Sequence, residues 1–297
     1  MALPEIRRMT PRVGAFRVRL GPLEPTLRWV EWGPAEGDPV VCVHGLTRTG
    51  RDFDVLATRL AERGRRVICP DVFGRGFSDW LPDGSLYAVP TYAAAFQQFL
   101  EALGRPYDWV GTSMGGLIGM ALAALPGTTP RRLVLNDIGP FIPAGALKRI
   151  ADYLLLSHDF ASLEEVETHL RLVHAPFGKL SDAAWRHLAE TSARRTAAGR
   201  VVLHYDPAIA APMQGSPIAD VDLWAVWDAL TPPVLVLRGA ESDLLDEATA
   251  ARMAGRPKTL LVNVAGCGHA PALMDHAQTA VIAEFLFHSG QATGSEG

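Results

Sequence analysis

The sequence predicts an α/β protein: a mostly parallel, twisted sheet flanked by helices, with an inserted helical cap. Three observations carry this. Short apolar runs without alternation, such as 39–43 (PVVCV) and 234–238 (VLVLR), read as strands covered on both faces. Segments with helical spacing of apolar residues follow them in turn, which calls for parallel pairing through right-handed crossovers. The alternation stops near Pro143 and resumes after Pro232-Pro233. The expected division is a core of 14–143 and 231–290, a cap (lid) of 144–230, and poorly ordered termini at 1–13 and 291–297.

Taken in order, 16–20 and 26–33 alternate apolar and polar residues around turn residues Gly21-Pro22 and Pro25, and read as an antiparallel hairpin at a sheet edge. The strand at 39–43 runs into His44-Gly45-Leu46. A helix follows at 53–63, with Phe53, Leu56, Ala57, Leu60 and Ala61 on one stripe. The strand 66–69 leads into an Asp71-to-Asp79 loop, and a helix at 91–103 ends before Gly104. The strand 107–110, a helix at 117–125 and the strand 132–135 complete the first half. The insertion reads as helices at 145–157, 162–174, 181–196 and 219–229, with no clear strand. The sheet then resumes at 234–238, with a helix at 246–254, a last strand at 259–264 and a C-terminal helix to His288.

The 297 residues, 48% hydrophobic, suffice for one large domain with an insertion or for two modest ones. A net charge of −4 and no basic run argue against nucleic acid and anionic membranes as partners. No apolar run is long enough to span a bilayer. Residues 1–11 carry two arginines and no apolar segment, so no signal peptide is expected. The three cysteines form no disulfide framework and no zinc-type spacing, and Cys42 and Cys69 fall in apolar strands. A reduced, cytoplasmic setting is expected, with no cofactor and no metal. The insertion's five histidines (158, 169, 174, 187 and 204) show no i, i+4 pair, so they read as solvated or packed side chains.

The chemistry concentrates at Gly111-Thr112-Ser113-Met114-Gly115, between a strand and a helix. A serine in such a G-x-S-x-G elbow must adopt a strained backbone to expose its hydroxyl, and side chains at the flanking glycines would collide with strand or helix. The helix that starts there turns free N–H groups toward any oxyanion formed at the serine. Asp243 and His269 also follow strands, so all three fall at one sheet edge, where catalytic groups of open α/β sheets collect. Asp137 also follows a sheet strand and is the rival acid.

His44-Gly45, Asp71-x-x-Gly74-x-Gly76-x-Ser78-Asp79, Gly111-x-Ser113-x-Gly115-Gly116, Gly239-x-x-x-Asp243 and Gly268-His269 together resemble the α/β-hydrolase superfamily, in its lidded bacterial serine-esterase form, over about 25–288. The resemblance implies Ser113 as nucleophile, His269 as base and Asp243 as the acid orienting it; in some relatives the acid follows the earlier strand, where Asp137 stands. It implies an oxyanion hole from the N–H groups of Leu46 and Met114, with His44 more a brace than a proton carrier. Asp71, Arg75 and Asp79 are expected to hold their loop, with Trp80 at the pocket border. The implied activity is hydrolysis of carboxylic esters with small to medium, largely apolar acyl groups; similar enzymes act on short-chain esters, lactones and hydroxyalkanoate oligomers. A C–C bond hydrolase, acyltransferase or perhydrolase would use the same triad, and a receptor on this fold would bind without turnover. Serine at 113 argues against the branches that use aspartate there.

Overall fold

The computed structural model describes residues 9–154, 159–214 and 217–288. Its centre is an eight-stranded sheet. In chain order the strands are β1 (Arg12–Arg17), β2 (Thr26–Trp32), β3 (Pro39–Val43), β4 (Arg66–Asp71), β5 (Asp108–Thr112) and β6 (Leu133–Asn136). Short strands β7 (Phe141–Ile142), β8 (Asp159–Phe160), β9 (Ala193–Arg195), β10 (Val201–Leu203) and β11 (Val221–Asp222) lie outside this sheet, which β12 (Val234–Gly239) and β13 (Thr259–Val264) complete. The spatial order is β1-β2-β4-β3-β5-β6-β12-β13. β2 runs antiparallel to β1 and β4, and every other pair is parallel. This is the mostly parallel sheet that the sequence predicts.

The helices are α1 (Asp54–Glu62), α2 (Val89–Leu103), α3 (Met114–Ala123), α4 (Ala144–Leu154), α5 (Leu163–Val173), α6 (Asp182–Ser192), α7 (Trp224–Asp228), α8 (Glu247–Ala254) and α9 (His276–Phe287). Successive strand residues point to opposite faces, so the sheet makes two cores. Val40, Cys42, Val110 and Leu235 pack with Leu56 and Leu60 of α1 and Ile282 and Leu286 of α9. Val41, Val43, Trp109 and Val236 pack on the other face with Phe96 of α2, Ile118 of α3 and Met253 of α8. The unbroken apolar runs of β3 and of Val234–Leu237 in β12 follow from being covered twice.

Three expectations are corrected. Arg12 and Val13 fall in β1, because the edge hairpin pairs earlier than the alternation suggests, with Arg12 opposite Glu31. α3 begins at Met114, directly behind the serine as the elbow requires, and not at the 117 read from the apolar run. The insertion is not purely helical: β8, β10 and β9 form a small antiparallel sheet, and β11 pairs with β7. Strands of two or three residues carry too little alternation to be read. The expected end of the helix at 145–157, His158 and the termini 1–8 and 289–297 lie outside the described residues.

Candidate active site

The elbow is built by close approach. Ser113 has φ 51° and ψ −115°. A Cβ on Gly111 would stand 2.3 Å from the Gly115 carbonyl oxygen, and one on Gly115 would stand 2.0 Å from that of Val43. Only hydrogen fits at either position, and the buried Trp109 indole then donates to the Gly115 carbonyl at 3.0 Å. Strand and helix therefore lock the serine outward at the carboxyl edge of the sheet.

His269 stands beyond the end of β13. Its Nε2 lies 2.9 Å from Ser113 Oγ and its Nδ1 lies 2.7 Å from Asp137 Oδ2. A carboxylate can only accept, so Nδ1 carries the proton and Nε2 is left to accept from the serine hydroxyl. The expectation for Asp243 is corrected here. Its carboxylate is half-exposed and bound by Arg149, with Nε to Oδ2 at 2.6 Å and Nη2 to Oδ1 at 2.8 Å. The loop after β12 instead turns Ser242 inward. Ser242 Oγ donates to Asp137 Oδ2 at 2.6 Å and the Gly239 N–H donates to Oδ1 at 2.7 Å. With His269, the fully buried Asp137 carboxylate receives three donors, which a buried charge requires. The register explains the position: Thr112 pairs with Asn136, so Asp137 and Ser113 leave neighbouring strands side by side. Asn136 Nδ2 donates to Thr112 Oγ1 at 3.0 Å and to the Pro271 carbonyl at 2.8 Å, tying both strands to the histidine loop.

Opposite the serine, the loop after β3 is held by two buried side chains. His44 Nε2 accepts from the Val72 N–H at 2.9 Å, and its Nδ1–H donates to the Gly45 carbonyl at 2.7 Å. Burial, outweighing that carbonyl, lowers its pKa to about 3, so it stays neutral and braces the loop. Arg75 is fully buried and donates to the carbonyls of Leu46 and Phe73, each at 2.7 Å, and to Tyr92 Oη at 2.6 Å. It thus fixes the loop that carries Leu46, a role that sequence reasoning confined to its own loop. Among the described residues the Leu46 N–H donates to no backbone carbonyl, and Met114 opens α3, where N–H groups lack an intrahelical acceptor. Asp71 accepts from the N–H groups of Gly50 and Phe77, and Asp79 from that of Thr26.

The insertion closes a cavity over Ser113 and His269, with Arg149, Tyr153, His174 and Phe177 facing Leu46 and Arg48. His174 stacks on Phe177 with centroids 4.5 Å apart. Burial first, and then the charge of Arg48, hold its pKa well below the usual histidine value. Cys42, Cys69 and Cys267 are all buried thiols. Among the described residues no cluster of histidine, cysteine or carboxylate side chains could hold a metal ion, and no helix is long and apolar enough to cross a membrane.

A strand-elbow-helix serine, a histidine loop after the last strand and a mostly parallel eight-stranded sheet define an α/β hydrolase. The chain belongs to the alpha/beta hydrolase family, whose sequence model matches residues 40–284, and is a hydrolase. It is 44% identical over 267 residues to a 3-hydroxybutyrate-oligomer hydrolase of Cupriavidus necator, covering 86% of this chain and 91% of that one. It is 28% identical over 256 residues to a 2-(acetamidomethylene)succinate hydrolase of Mesorhizobium japonicum, covering 85% of this chain and 87% of that one. Among solved structures, an alpha/beta hydrolase of Novosphingobium aromaticivorans superposes with a TM-score of 0.83 at 34% identity, over 93% of this chain and 98% of that one.

Proposed function

We propose that the chain is a serine hydrolase that cleaves carboxylic esters of small to medium, largely apolar acyl groups through an acyl-enzyme. The observation that carries this reading is the hydrogen-bonded line Ser113–His269–Asp137. Ser113 Oγ attacks the ester carbonyl carbon while His269 Nε2 takes its proton. Asp137 stabilises the imidazolium and fixes its tautomer. The N–H groups of Leu46 and Met114 receive the oxyanion, each contributing on the order of 3–4 kcal/mol where such donors have been deleted. As the tetrahedral intermediate collapses, the bond to the alcohol oxygen breaks and His269 returns its proton to that oxygen. Water then repeats the sequence on the acyl-Ser113 ester, releasing the acid and restoring the hydroxyl. The insertion acts as a cap that forms the roof of the acyl pocket.

The relative from Cupriavidus necator carries the substrate class: it is named for 3-hydroxybutyrate oligomers, whose links are esters between short hydroxyacids. Linear hydroxyalkanoate oligomers are the natural substrates this reading favours. The test is turnover of 4-nitrophenyl esters from acetate to decanoate by wild type and Ser113→Ala. Wild type is expected to prefer short acyl chains, and the alanine variant to lose on the order of 10⁴-fold or more in kcat. Equal activity of the two proteins would remove Ser113 from the mechanism. Inactivity of both would turn the reading toward C–C substrates or ligand binding.

A further inference from the structure

Two arginines line the cavity that holds Ser113, one from each side. Arg48 follows the Leu46 loop of the core, and Arg149 stands on α4 of the insertion. Each is gripped the same way. Arg48 gives Nε and Nη2 to Asp52, at 2.9 and 2.7 Å. Arg149 gives Nε and Nη2 to Asp243. Among the described residues, Nη1 of neither guanidinium donates to another group. Two fork-shaped cations are therefore oriented in advance, each with an edge to spare, in the cavity where ester chemistry is expected.

Stability does not explain Arg149. Its pair with Asp243 is 39% and 51% exposed, and pairs so exposed add little to folding. The pair does keep a long side chain in one place, which lowers the entropy lost when a ligand binds. His174 beside them is held neutral, and the Asp52 carboxylate that lines the same cavity is engaged by Arg48.

We propose that Arg48 and Arg149 form a carboxylate-recognition site within the active-site cavity, so that the enzyme selects esters bearing a free carboxylate. This rests on the ester-hydrolase reading and narrows it. An open hydroxyacid oligomer has one such carboxylate at its end, whereas a lactone or a simple alkyl ester has none. Binding one end of the chain makes the enzyme act from that end rather than at random along it.

The test compares the linear 3-hydroxybutyrate dimer with its methyl ester, by release of 3-hydroxybutyrate or its methyl ester, with 4-nitrophenyl acetate as a probe of the chemical step. Wild type is expected to favour the free acid by about tenfold or more in kcat/KM, mainly through KM, as suits hydrogen bonds to a charged group. In Arg149→Gln the ratio of the two kcat/KM values should fall toward one. A variant that is merely misfolded lowers kcat on all three esters and leaves the ratio standing. Arg48→Lys, checked by thermal unfolding, supplies the second arm and should also lower the ratio. A wild-type ratio near one, with 4-nitrophenyl acetate hydrolysed, overturns the carboxylate site and leaves the ester-hydrolase reading intact. A preference that survives in both variants overturns the assignment to these arginines. No hydrolysis of any of the three overturns both readings.

Discussion

At the scale of single residues the site turns on which carboxylate faces His269. Asp137 is fully buried and receives donors from Gly239, Ser242 and His269, whereas Asp243 shares a half-exposed pair with Arg149. A buried, hydrogen-bonded carboxylate interacts strongly with an imidazolium, and an exposed one is screened. Asp137→Asn keeps the shape but offers an N–H where a proton must be accepted, which selects the wrong tautomer. It is expected to lower kcat on 4-nitrophenyl butyrate on the order of 10³–10⁴-fold. Asp243→Asn should cost at most about tenfold, and the reverse ranking in steady-state kinetics would return the acid to Asp243. Both candidates were visible in the sequence, since each follows a strand. What decides between them was not visible: the loop after β12 turns Ser242 rather than Asp243 inward, onto the Asp137 carboxylate, a difference of one position. Arg75 was hidden for a similar reason, because its partner Leu46 lies 29 positions away and only packing joins them.

At the scale of elements, the glycines of the elbow set the distance between β3, β5 and α3. The motif itself was fully legible, because steric exclusion at Gly111 and Gly115 is a local requirement written into adjacent residues. The small sheet of β8, β9 and β10 was not legible, since it pairs Phe160 with Val201, segments 41 residues apart, through strands of two or three residues. Gly115→Ala tests the elbow as a unit. The added methyl group would overlap the Val43 carbonyl, a backbone atom that cannot rotate away. α3 and Ser113 must then shift against the Leu46 loop. Overpacking of this kind costs about 1–3 kcal/mol, and a displacement of about 1 Å at a reacting atom costs about 10²-fold in rate. Denaturant unfolding and kcat are both expected to fall by those amounts. Wild-type values for both would mean that the elbow has slack that this geometry denies.

For the whole molecule, burial of histidines sets a direction for stability against pH. His44 is held neutral with a pKa of about 3, that of His204 is lowered to about 4, and that of His174 lies well below the usual value, each chiefly through burial. Unfolding lets each regain a value near 6.5, so below that pH the unfolded chain binds more protons and the folded state loses stability as pH falls. His44 alone removes about 2 kcal/mol between pH 7 and 5 by this linkage. Two buried carboxyls oppose it. Burial raises Asp71 to about 6 and also raises Asp54, so each favours the folded state as acid is added. At pH 5 the Asp71 contribution is about 1.4 kcal/mol, less than that of His44, and His174 and His204 add to the loss. Carboxylates held below their usual range, such as Glu31 and Asp38 beside their arginines, contribute only under stronger acid. The expected outcome is a thermal midpoint that falls steadily from pH 7 to pH 5, with a smaller slope in His204→Gln. A midpoint that holds or rises over that interval would mean that the buried carboxyls outweigh the three histidines.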